Sequence, residues 1–351
     1  MEDRYTPILT EEERAARRAQ RAAARQEKLR ARRRKRLLTL VPVLALCLIA
    51  GILSAWPHSA AAPQLGTARP PATAPAAEGS PAPYSAQEPP ATVALDASFS
   101  SPYAVLIDLE DGTILAEKEA RTVIAPASMT KILTLLTAVE HLSDLDATFT
   151  ITREITDYCY VNECSVVGLE VGETVTIREL LYGTILSSGA DAALGLAYHI
   201  SGSQEAFVAL MNEKLEALGL SDTAHFTNCV GLYEEGHGCS VYDMAMILKA
   251  ALDDPLCREI LSAHTYETAP TPQHPDGQVL SNWFLRKIED HVPEDFQVIA
   301  AKTGFVDQSG NCAASYGEDA SGQGYLCVTA GASGSWPCIY DHLALYETYC
   351  L

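Results

Sequence analysis

Positive charge is scarce in most of this chain, and that shortage excludes one large class of proteins. Of the 351 residues, 25 are Lys or Arg and 45 are Asp or Glu. Residues 1–36 hold 13 of the basic side chains and 6 of the acidic ones, so the rest of the chain holds 12 against 39. A body this acidic repels phosphate backbones, and a nucleic-acid-binding role is therefore not expected.

The spacings typical of metal sites are also missing. None of the ten cysteines belongs to a C-x-x-C pair, which disfavours structural zinc and thioredoxin-like redox sites. The histidines of the body are scattered without ligand spacing, as surface or capping residues are: His141, His199, His225, His237, His264, His274, His291 and His342. We therefore expect neither a metal nor another cofactor.

One segment lacks charge altogether. The stretch Leu37–Trp56 has no charged side chain and is mostly apolar, and about 20 such residues span a hydrocarbon core of roughly 30 Å as a helix. The basic run Arg30–Arg36 before it predicts a cytoplasmic tail over residues 1–36, a single-pass membrane anchor over 37–56, and a body on the cell-wall side. A cleaved signal peptide is the alternative. The small residues Ser59–Ala62 favour it, whereas the long tail and the long apolar run do not.

Proline is concentrated just after this segment. Nine of the 19 prolines lie between Pro57 and Pro90, which predicts a disordered, extended linker over residues 57–97 and a body over 98–351. A spacer of this kind suits a target that stands off the membrane, such as the cell wall, although a linker of no particular reach explains the composition equally well.

Nine cysteines follow the predicted span, in a location where disulfides form if it is oxidising. Closeness in sequence favours the pairs Cys159–Cys164, Cys229–Cys239 and Cys312–Cys327, with Cys338–Cys350 as a fourth pair and Cys257 left free. Connectivity does not follow from sequence, and an anaerobic source would leave every thiol reduced.

The body has the pattern of a mixed α/β domain. Short β-rich runs at 103–108 and 113–117 enclose a hairpin turn, and further strands are predicted at 296–302, 312–316 and 324–330. Helices are predicted at 129–142, which is apolar on most of its surface, and at 177–200, 203–218, 240–252 and 337–350. Strands at both ends of a helical middle predict an antiparallel sheet flanked by helices.

Ser128 and Lys131 stand three residues apart at the start of the first predicted helix, so both side chains lie on one face. A serine hydroxyl needs an adjacent base to become a nucleophile. A lysine amine serves as that base when burial lowers its pKa, and this lysine precedes a run that is almost wholly apolar. A capping serine beside a solvated lysine is the structural alternative.

Two other stretches carry candidate chemistry. Lys302-Thr303-Gly304 ends a predicted strand, where the lysine and the hydroxyl suit a carboxylate and the glycine permits close approach of a ligand. The stretch Ser187–Asp191 interrupts the helical middle with small residues, which predicts a turn that presents Ser188. Alone, each is as well explained by an ordinary strand end or loop.

In the order Ser128, Ser188, Lys302, these elements follow the signatures of penicillin-interacting serine enzymes. The chain resembles the D-alanyl-D-alanine carboxypeptidases among the low-molecular-mass penicillin-binding proteins. The resemblance covers residues 98–351 and rests on these matching stretches: 126–131 (PASMTK), 169–173 (LEVGE), 226–228 (FTN), 231–232 (GL), 242–245 (YDMA) and 302–305 (KTGF).

The resemblance implies a sheet flanked by helices, with the active site between an all-helical subregion and the sheet edge. It implies that Ser128 is the acylated nucleophile, that Lys131 accepts its proton and that Ser188 relays a proton to the leaving D-Ala. Lys302 and Thr303, with Gly304 beside them, would bind the terminal carboxylate of a peptidoglycan stem peptide ending in D-Ala-D-Ala. The backbone N–H groups of Ser128 and Phe305 would form the oxyanion hole, and β-lactams would acylate Ser128.

One departure from the family pattern is chemical. The family's S-G-N is Ser188-Gly189-Ala190 here, so an amide side chain is missing. A lost side-chain contact costs about 1–3 kcal/mol, unless a water or a neighbouring side chain replaces it.

This departure leaves open a catalytically impaired wall-binding or β-lactam-sensing homologue. A D,D-transpeptidase also stays open, because it differs only in that an amine instead of water attacks the acyl-enzyme. A class A β-lactamase is disfavoured because no E-x-x-L-N segment lies between Ser128 and Lys302.

Overall fold

Ten strands and nine α-helices make up the described part of the structure, a computed structural model that describes residues 84–96 and 99–351. The strands are β1 Val93–Ala94, β2 Tyr103–Asp108, β3 Thr113–Lys118, β4 Thr148–Thr150, β5 Thr174–Thr176, β6 Thr265–Glu267, β7 Val279–Ser281, β8 Phe296–Val306, β9 Gly310–Asp319 and β10 Gly324–Ala332. The helices are α1 Lys131–His141, α2 Arg153–Val161, α3 Ile177–Leu186, α4 Ala190–Ser201, α5 Gln204–Leu218, α6 Val241–Asp253, α7 Pro255–Ser262, α8 Leu285–Ile288 and α9 Ser335–Tyr349. A 3₁₀ turn, Ala127–Thr130, leads into α1.

The central sheet has six strands in the order β1-β3-β2-β10-β9-β8. All neighbours in it are antiparallel except β1 and β3. Strand β8 is an edge strand, so one side of its backbone is open to further pairing. The mixed α/β fold and the largely antiparallel sheet predicted from the sequence are confirmed.

Side chains alternate between the two faces of the sheet, as a pleated strand requires. On β2, Val105 and Ile107 belong to one hydrophobic core and Leu106 belongs to the other. The first core lies between the sheet and most of the helices, and the second lies under α9. Covering both faces explains why β2 is apolar along nearly its whole length.

Helix α1 lies deep inside the first core. Its residues from Lys131 to Ala138 are all buried, and the helix contacts α3, α4, α5, α6 and α7. Burying a leucine side chain fully contributes about 1.5–3 kcal/mol, so a helix with leucines on several sides is fixed in position by packing. This fixed position matters because α1 begins with Lys131.

The helix predicted over 177–200 is two helices. Helix α3 ends at Leu186 and α4 begins at Ala190, and Ser188 between them has φ +54°. The small residues that broke the helical pattern therefore mark a real turn, as the sequence indicated. The predicted capping box of α6 is also present: Ser240 Oγ accepts from Asp243 N at 3.0 Å, and Asp243 Oδ2 accepts from Ser240 N at 2.8 Å.

The domain begins earlier than residue 98. Strand β1 pairs with β3, Gln87 exchanges backbone hydrogen bonds with Gly112 and Ile114, and Ala86 N donates to Tyr242 Oη at 2.8 Å. The last part of the predicted linker is thus ordered on the sheet edge, since main-chain pairing does not require an apolar composition. The predicted tail, anchor and most of the linker lie outside the described residues. Within residues 84–96 and 99–351, no helix has the length and apolarity of a membrane span.

The predicted disulfides are absent, because all nine cysteines of the described residues are free thiols. In the sheet, Cys327 on β10 lies opposite Ser315 on β9. Ser315 is three positions along β9 from Cys312. That separation is about 10 Å along a strand, too far for a disulfide. Cys229 is not bonded to Cys239, and its thiol donates a hydrogen bond to Gln204. Cys338 is not bonded to Cys350, and its thiol contacts Thr329.

Cys159 and Cys164 are also unbonded, although they are adjacent in space. Cys257, which the sequence left unpaired, is free.

Candidate active site

Ser128 is presented by a strained turn at the start of the buried helix. Ala127 has φ +50°, a conformation that costs energy for a residue with a Cβ and is found most often at functional sites. The 3₁₀ turn then carries Ser128, half-buried, directly into α1. The hydroxyl is therefore fixed at the end of a rigid helix instead of on a mobile loop.

Lys131, the first residue of α1, points back at this serine. Its Nζ lies 3.2 Å from Ser128 Oγ and 2.6 Å from the carbonyl oxygen of Val230. The residue is 1% exposed, and burial lowers the pKa of Lys131 from 10.5 to about 8. At pH 7 about one molecule in ten then carries the neutral amine, against roughly one in three thousand for an ordinary lysine. The pair has the proximity and the basicity that nucleophilic catalysis requires.

The Val230 carbonyl is held in place by a buried asparagine. Asn228 Oδ1 accepts from the backbone N–H groups of Val230, Gly231 and Leu232 at 3.3, 2.8 and 3.1 Å, and Asn228 Nδ2 donates to the carbonyl of Leu232 at 3.0 Å. These four bonds close the turn 228–232. By engaging one amine hydrogen, the carbonyl limits how Lys131 Nζ can rotate and so helps direct its lone pair to Ser128.

Asn228 belongs to one of the stretches that match the family, residues 226–228, but its spacing from the other motifs did not predict a role for it. Its side chain acts through a backbone carbonyl, which no side-chain motif reveals.

Lys302 and Ser188 form the opposite wall of the site. Lys302 Nζ donates to Ser188 Oγ at 2.9 Å and to the carbonyl oxygen of Thr303 at 2.7 Å. Lys302 is 2% exposed, and burial together with the charge of Lys131 holds its pKa well below the ordinary value for lysine. Because Ser188 Oγ accepts from Lys302, its own hydroxyl hydrogen stays available for another acceptor.

Two glycines allow three segments to meet at Ser128. A Cβ on Gly304 would lie 2.9 Å from the carbonyl oxygen of Pro126 and 3.0 Å from Ser128 N. A Cβ on Gly231, whose φ is +81°, would lie 2.0 Å from the carbonyl oxygen of Ala127. Any larger residue at either position would push β8 or the 228–232 turn away from the serine.

The predicted residues surround one cavity of about 420 Å³. Its lining includes Ser128, Ser188, Thr303, Gly304 and Phe305, and further residues from the 283–284 loop, β9 and α9. Lys131 and Lys302 reach it through their hydrogen bonds to the two serines. The structure thus brings all the predicted site residues together, while the role of each stays a prediction.

Ala190 is buried at the start of α4, and no amide side chain projects from this position. Its N–H donates to the carbonyl oxygen of Ser165 at 2.8 Å, and Ser165 also lines the cavity. The loop carrying Ser165 is tied down by Asp191, which accepts from Val167 N and Gly168 N at 2.9 Å each. Ser165 was not predicted, because nothing in the local pattern marked it.

His237 was likewise missed as part of this site. Thr227 N donates to His237 Nδ1 at 3.1 Å, which leaves the proton on Nε2 to donate to Thr130 Oγ1 at 2.9 Å. Burial lowers the pKa of His237 to about 4, so the ring is neutral near pH 7. The histidine therefore links the 227–237 segment to the turn between Ser128 and Lys131.

The family comparison agrees with this geometry. The family model "D-alanyl-D-alanine carboxypeptidase" matches residues 87–324. The D-alanyl-D-alanine carboxypeptidase DacF of Bacillus subtilis is 42% identical over 149 residues, which cover 42% of this chain and 38% of DacF. The D-alanyl-D-alanine carboxypeptidase DacC of Escherichia coli is 35% identical over 156 residues, which cover 43% of this chain and 39% of DacC. The aligned parts thus span about four-tenths of these relatives.

Solved structures show the same fold. A D-alanyl-D-alanine carboxypeptidase of Mycobacterium tuberculosis superposes with a TM-score of 0.64 at 25% identity, covering 76% of this chain and 96% of that one. A DD-transpeptidase of Streptomyces superposes with a TM-score of 0.64 at 24% identity, covering 72% of this chain and 98% of that one.

The positioning of Lys131 by the 228–232 turn can be tested with Asn228→Ala. Loss of the Oδ1 contacts frees the Val230 carbonyl, and an interaction of about 1–3 kcal/mol is removed from the base. We expect the acylation of Ser128 by a fluorescent penicillin to slow about 10- to 100-fold.

Asn212→Ala is the matched control, because Asn212 holds the same segment at Phe226 without contacting the turn. It should lower the unfolding temperature but leave the acylation rate of the folded protein near wild type. An Asn228→Ala protein that is folded and acylates at the wild-type rate would contradict the positioning role.

Proposed function

Because this chain belongs to the D-alanyl-D-alanine carboxypeptidase family, we propose that it is a serine D,D-carboxypeptidase that removes the terminal D-Ala from peptidoglycan stem peptides. The contact of 3.2 Å between Lys131 Nζ and Ser128 Oγ carries this proposal. It joins a nucleophile to a base whose pKa burial has brought close to neutrality.

Substrate binding is assigned to the wall formed by Lys302 and Thr303. A peptide ending in a carboxylate brings a negative charge to a buried amine whose pKa is depressed. An opposite charge favours the protonated amine, so a bound carboxylate stabilises the charged form of Lys302 against the effect of burial. Thr303 adds a hydroxyl at the cavity surface. The preference for a free C-terminus follows from this lysine, since an uncharged chain end gives it no partner.

Acylation starts with the neutral amine of Lys131. Ser128 Oγ attacks the carbonyl carbon of the scissile peptide bond while its proton passes to Lys131 Nζ. The negative charge on the carbonyl oxygen is met by the backbone N–H groups of Ser128 and Phe305. The C–N bond then breaks, and the leaving amine of D-Ala takes a proton from the hydroxyl of Ser188. The Ser188 oxygen takes up in turn the proton that Lys131 received from Ser128, so the Lys131 amine is neutral again. Ser188 can donate because its oxygen already accepts from Lys302.

Water completes the cycle. It attacks the carbonyl carbon of the ester on Ser128 and gives a proton to the neutral amine of Lys131. Lys131 passes this proton to Ser128 Oγ as the ester C–O bond breaks, which releases the shortened stem peptide and restores the free serine and the neutral amine. A β-lactam follows the same first step, but its leaving nitrogen stays tethered to the acyl group, so the ester persists and the enzyme is inhibited.

We also propose that the catalytic domain lies on the cell-wall side of the membrane, anchored through residues 37–56 with the N-terminus in the cytoplasm. The uncharged run Leu37–Trp56 and the basic cluster before it support this arrangement. A peptidoglycan substrate requires the same location.

Replacing the nucleophile is the direct test of the function. We expect Ser128→Ala to lose covalent labelling by a fluorescent penicillin and to lose release of D-Ala from a D-Ala-D-Ala stem peptide, because no other hydroxyl is within reach of Lys131 Nζ among the described contacts. The readouts are gel fluorescence and a D-amino-acid assay.

Ser165→Ala is the control, since Ser165 lines the same cavity but is not among the described contacts of Lys131 Nζ; it should still be labelled. Labelling of Ser128→Ala would show that the nucleophile is misassigned. A wild-type protein that is labelled but releases no D-Ala would instead be a β-lactam sensor.

The lowered pKa of Lys131 predicts how the rate of acylation depends on pH. The protonated amine cannot accept the serine proton, so the rate should rise about tenfold per pH unit below pH 8 and level off above it. Stopped-flow acylation by a fluorescent penicillin would measure this profile, with circular dichroism to confirm folding at each pH. A rate that is flat from about pH 6 to about pH 9 would exclude Lys131 as the base.

A further inference from the structure

Two cysteines lie together at the edge of the active site. Cys159 belongs to the last turn of α2, and Cys164 follows the turn that ends this helix. The N–H of Cys164 donates to the carbonyl oxygen of Cys159 at 3.0 Å. Glu163, with φ +53°, reverses the chain between them. This backbone bond brings the two residues to the separation at which disulfides form.

Their side chains are in contact and differ in access. The Cys159 and Cys164 thiols interact with each other, and this interaction holds the pKa of Cys164 below its ordinary value. Cys159 is 5% exposed, whereas Cys164 is only partly buried. A cysteine with thiolate character that solvent can reach, next to a second thiol, is the arrangement typical of redox-responsive cysteines.

The pair is linked to the catalytic groups in two ways. Cys164 is followed by Ser165, which lines the cavity and accepts the N–H of Ala190. Cys164 also interacts electrostatically with Lys131: its thiolate raises the pKa of this base, against the effect of burial. A chemical change at Cys164 that removes its charge therefore changes the pKa of Lys131, the amine beside Ser128.

We propose that Cys159 and Cys164 are a redox-responsive pair that a low-molecular-mass disulfide converts into an intramolecular disulfide, and that this conversion alters the acylation of Ser128. The existence of the disulfide does not depend on the proposed function, whereas its effect on acylation does.

The exchange proceeds through two thiolate attacks. The Cys164 thiolate attacks one sulfur of the oxidant RSSR, which forms a mixed disulfide and releases RS⁻. Cys159 gives its proton to the released thiolate and attacks Cys164 Sγ, and the second RS⁻ leaves and is protonated by solvent. The two protein thiols are oxidised by two electrons, and the oxidant is reduced to two RSH.

The other seven described cysteines lack this arrangement, because all of them are buried and burial raises the pKa of each thiol. Cys229 is fully buried and donates to Gln204, and Cys257 is buried on α7 with no thiol among its interacting groups. Burial raises the pKa of both thiols, which leaves them poor nucleophiles. The pKa of Cys159 is also raised, but chiefly by its interaction with the Cys164 thiolate, and the mixed disulfide removes that thiolate.

The loss of charge at Cys164 determines whether the disulfide speeds or slows the acylation of Ser128. A disulfide carries no negative charge, so the protonated form of Lys131 loses a stabilising neighbour when the pair is oxidised. More of the base is then neutral near pH 7. Because the two residues already touch, closing the bond requires little backbone movement. We expect acylation to become about two- to tenfold faster, and to return to its starting rate after reduction.

The experiment uses the full chain equilibrated in buffers of reduced and oxidised glutathione. Intact mass should show the loss of two hydrogens, and peptide mapping should place the bond between Cys159 and Cys164. Acylation by a fluorescent penicillin is measured on the same samples. Cys257→Ala should behave as wild type, whereas Cys159→Ala should accumulate only the glutathione adduct at Cys164, and Cys164→Ala should form no bond.

Several results would overturn the proposal: no oxidation across the glutathione range, a bond from Cys164 to Cys229, or oxidation that leaves the acylation rate unchanged. Ser128→Ala separates this inference from the proposed function, because the disulfide should form in that variant just as it does in the wild type. If wild type and Ser128→Ala both form the bond but neither is labelled by penicillin, the function has failed, and with it the part of the proposal that concerns acylation.

Discussion

The site depends on one contact, the hydrogen bond that joins a buried amine at Lys131 to the hydroxyl of Ser128. An unpaired charge is costly in an apolar interior, so this amine persists there only because its pKa falls and because the Val230 carbonyl accepts one of its hydrogens. The surrounding architecture serves this contact. Helix α1 is packed on several sides, the 228–232 turn fixes the carbonyl, and Gly231 and Gly304 let the backbone close around the serine.

The site contains a second buried lysine, Lys302, whose contacts differ from those of Lys131. The charge of Lys131 opposes protonation of Lys302, so the free site holds less positive charge than two ordinary lysines would. A carboxylate supplies the missing counter-charge. The two amines are thus suited to the different tasks proposed for them, Lys131 as the base that takes the serine proton and Lys302 as the group that binds an anion. The backbone is strained at Ala127 and Ser188. The surrounding packing imposes this strain, and the strained conformations orient the hydroxyls of Ser128 and Ser188.

Much of the fold and site was predictable from sequence because it rests on periodicity and on residues that meet through their own side chains. Strand β2 and helix α1 have strong apolar patterns. Ser128 contacts Lys131, Ser188 contacts Lys302, and both serines line one cavity. Asn228 and His237 were missed because they act through a carbonyl and a threonine. The predicted Cys312–Cys327 disulfide was wrong because spacing in sequence does not specify strand register. Strand β1 was assigned to the linker because its pairing is purely main-chain.

The protonation state of Lys131 is the most direct test of this account, and it can be observed without any substrate. A nitrogen-15 NMR titration of the lysine Nζ groups, with the Lys131 signal assigned by its absence in Lys131→Met, reports the pKa of the amine itself. The account predicts a midpoint near 8 for Lys131, well below the ordinary value for an exposed lysine. A Lys131 signal that titrates together with the exposed lysines would contradict it, because the amine could then not take the serine proton near neutral pH.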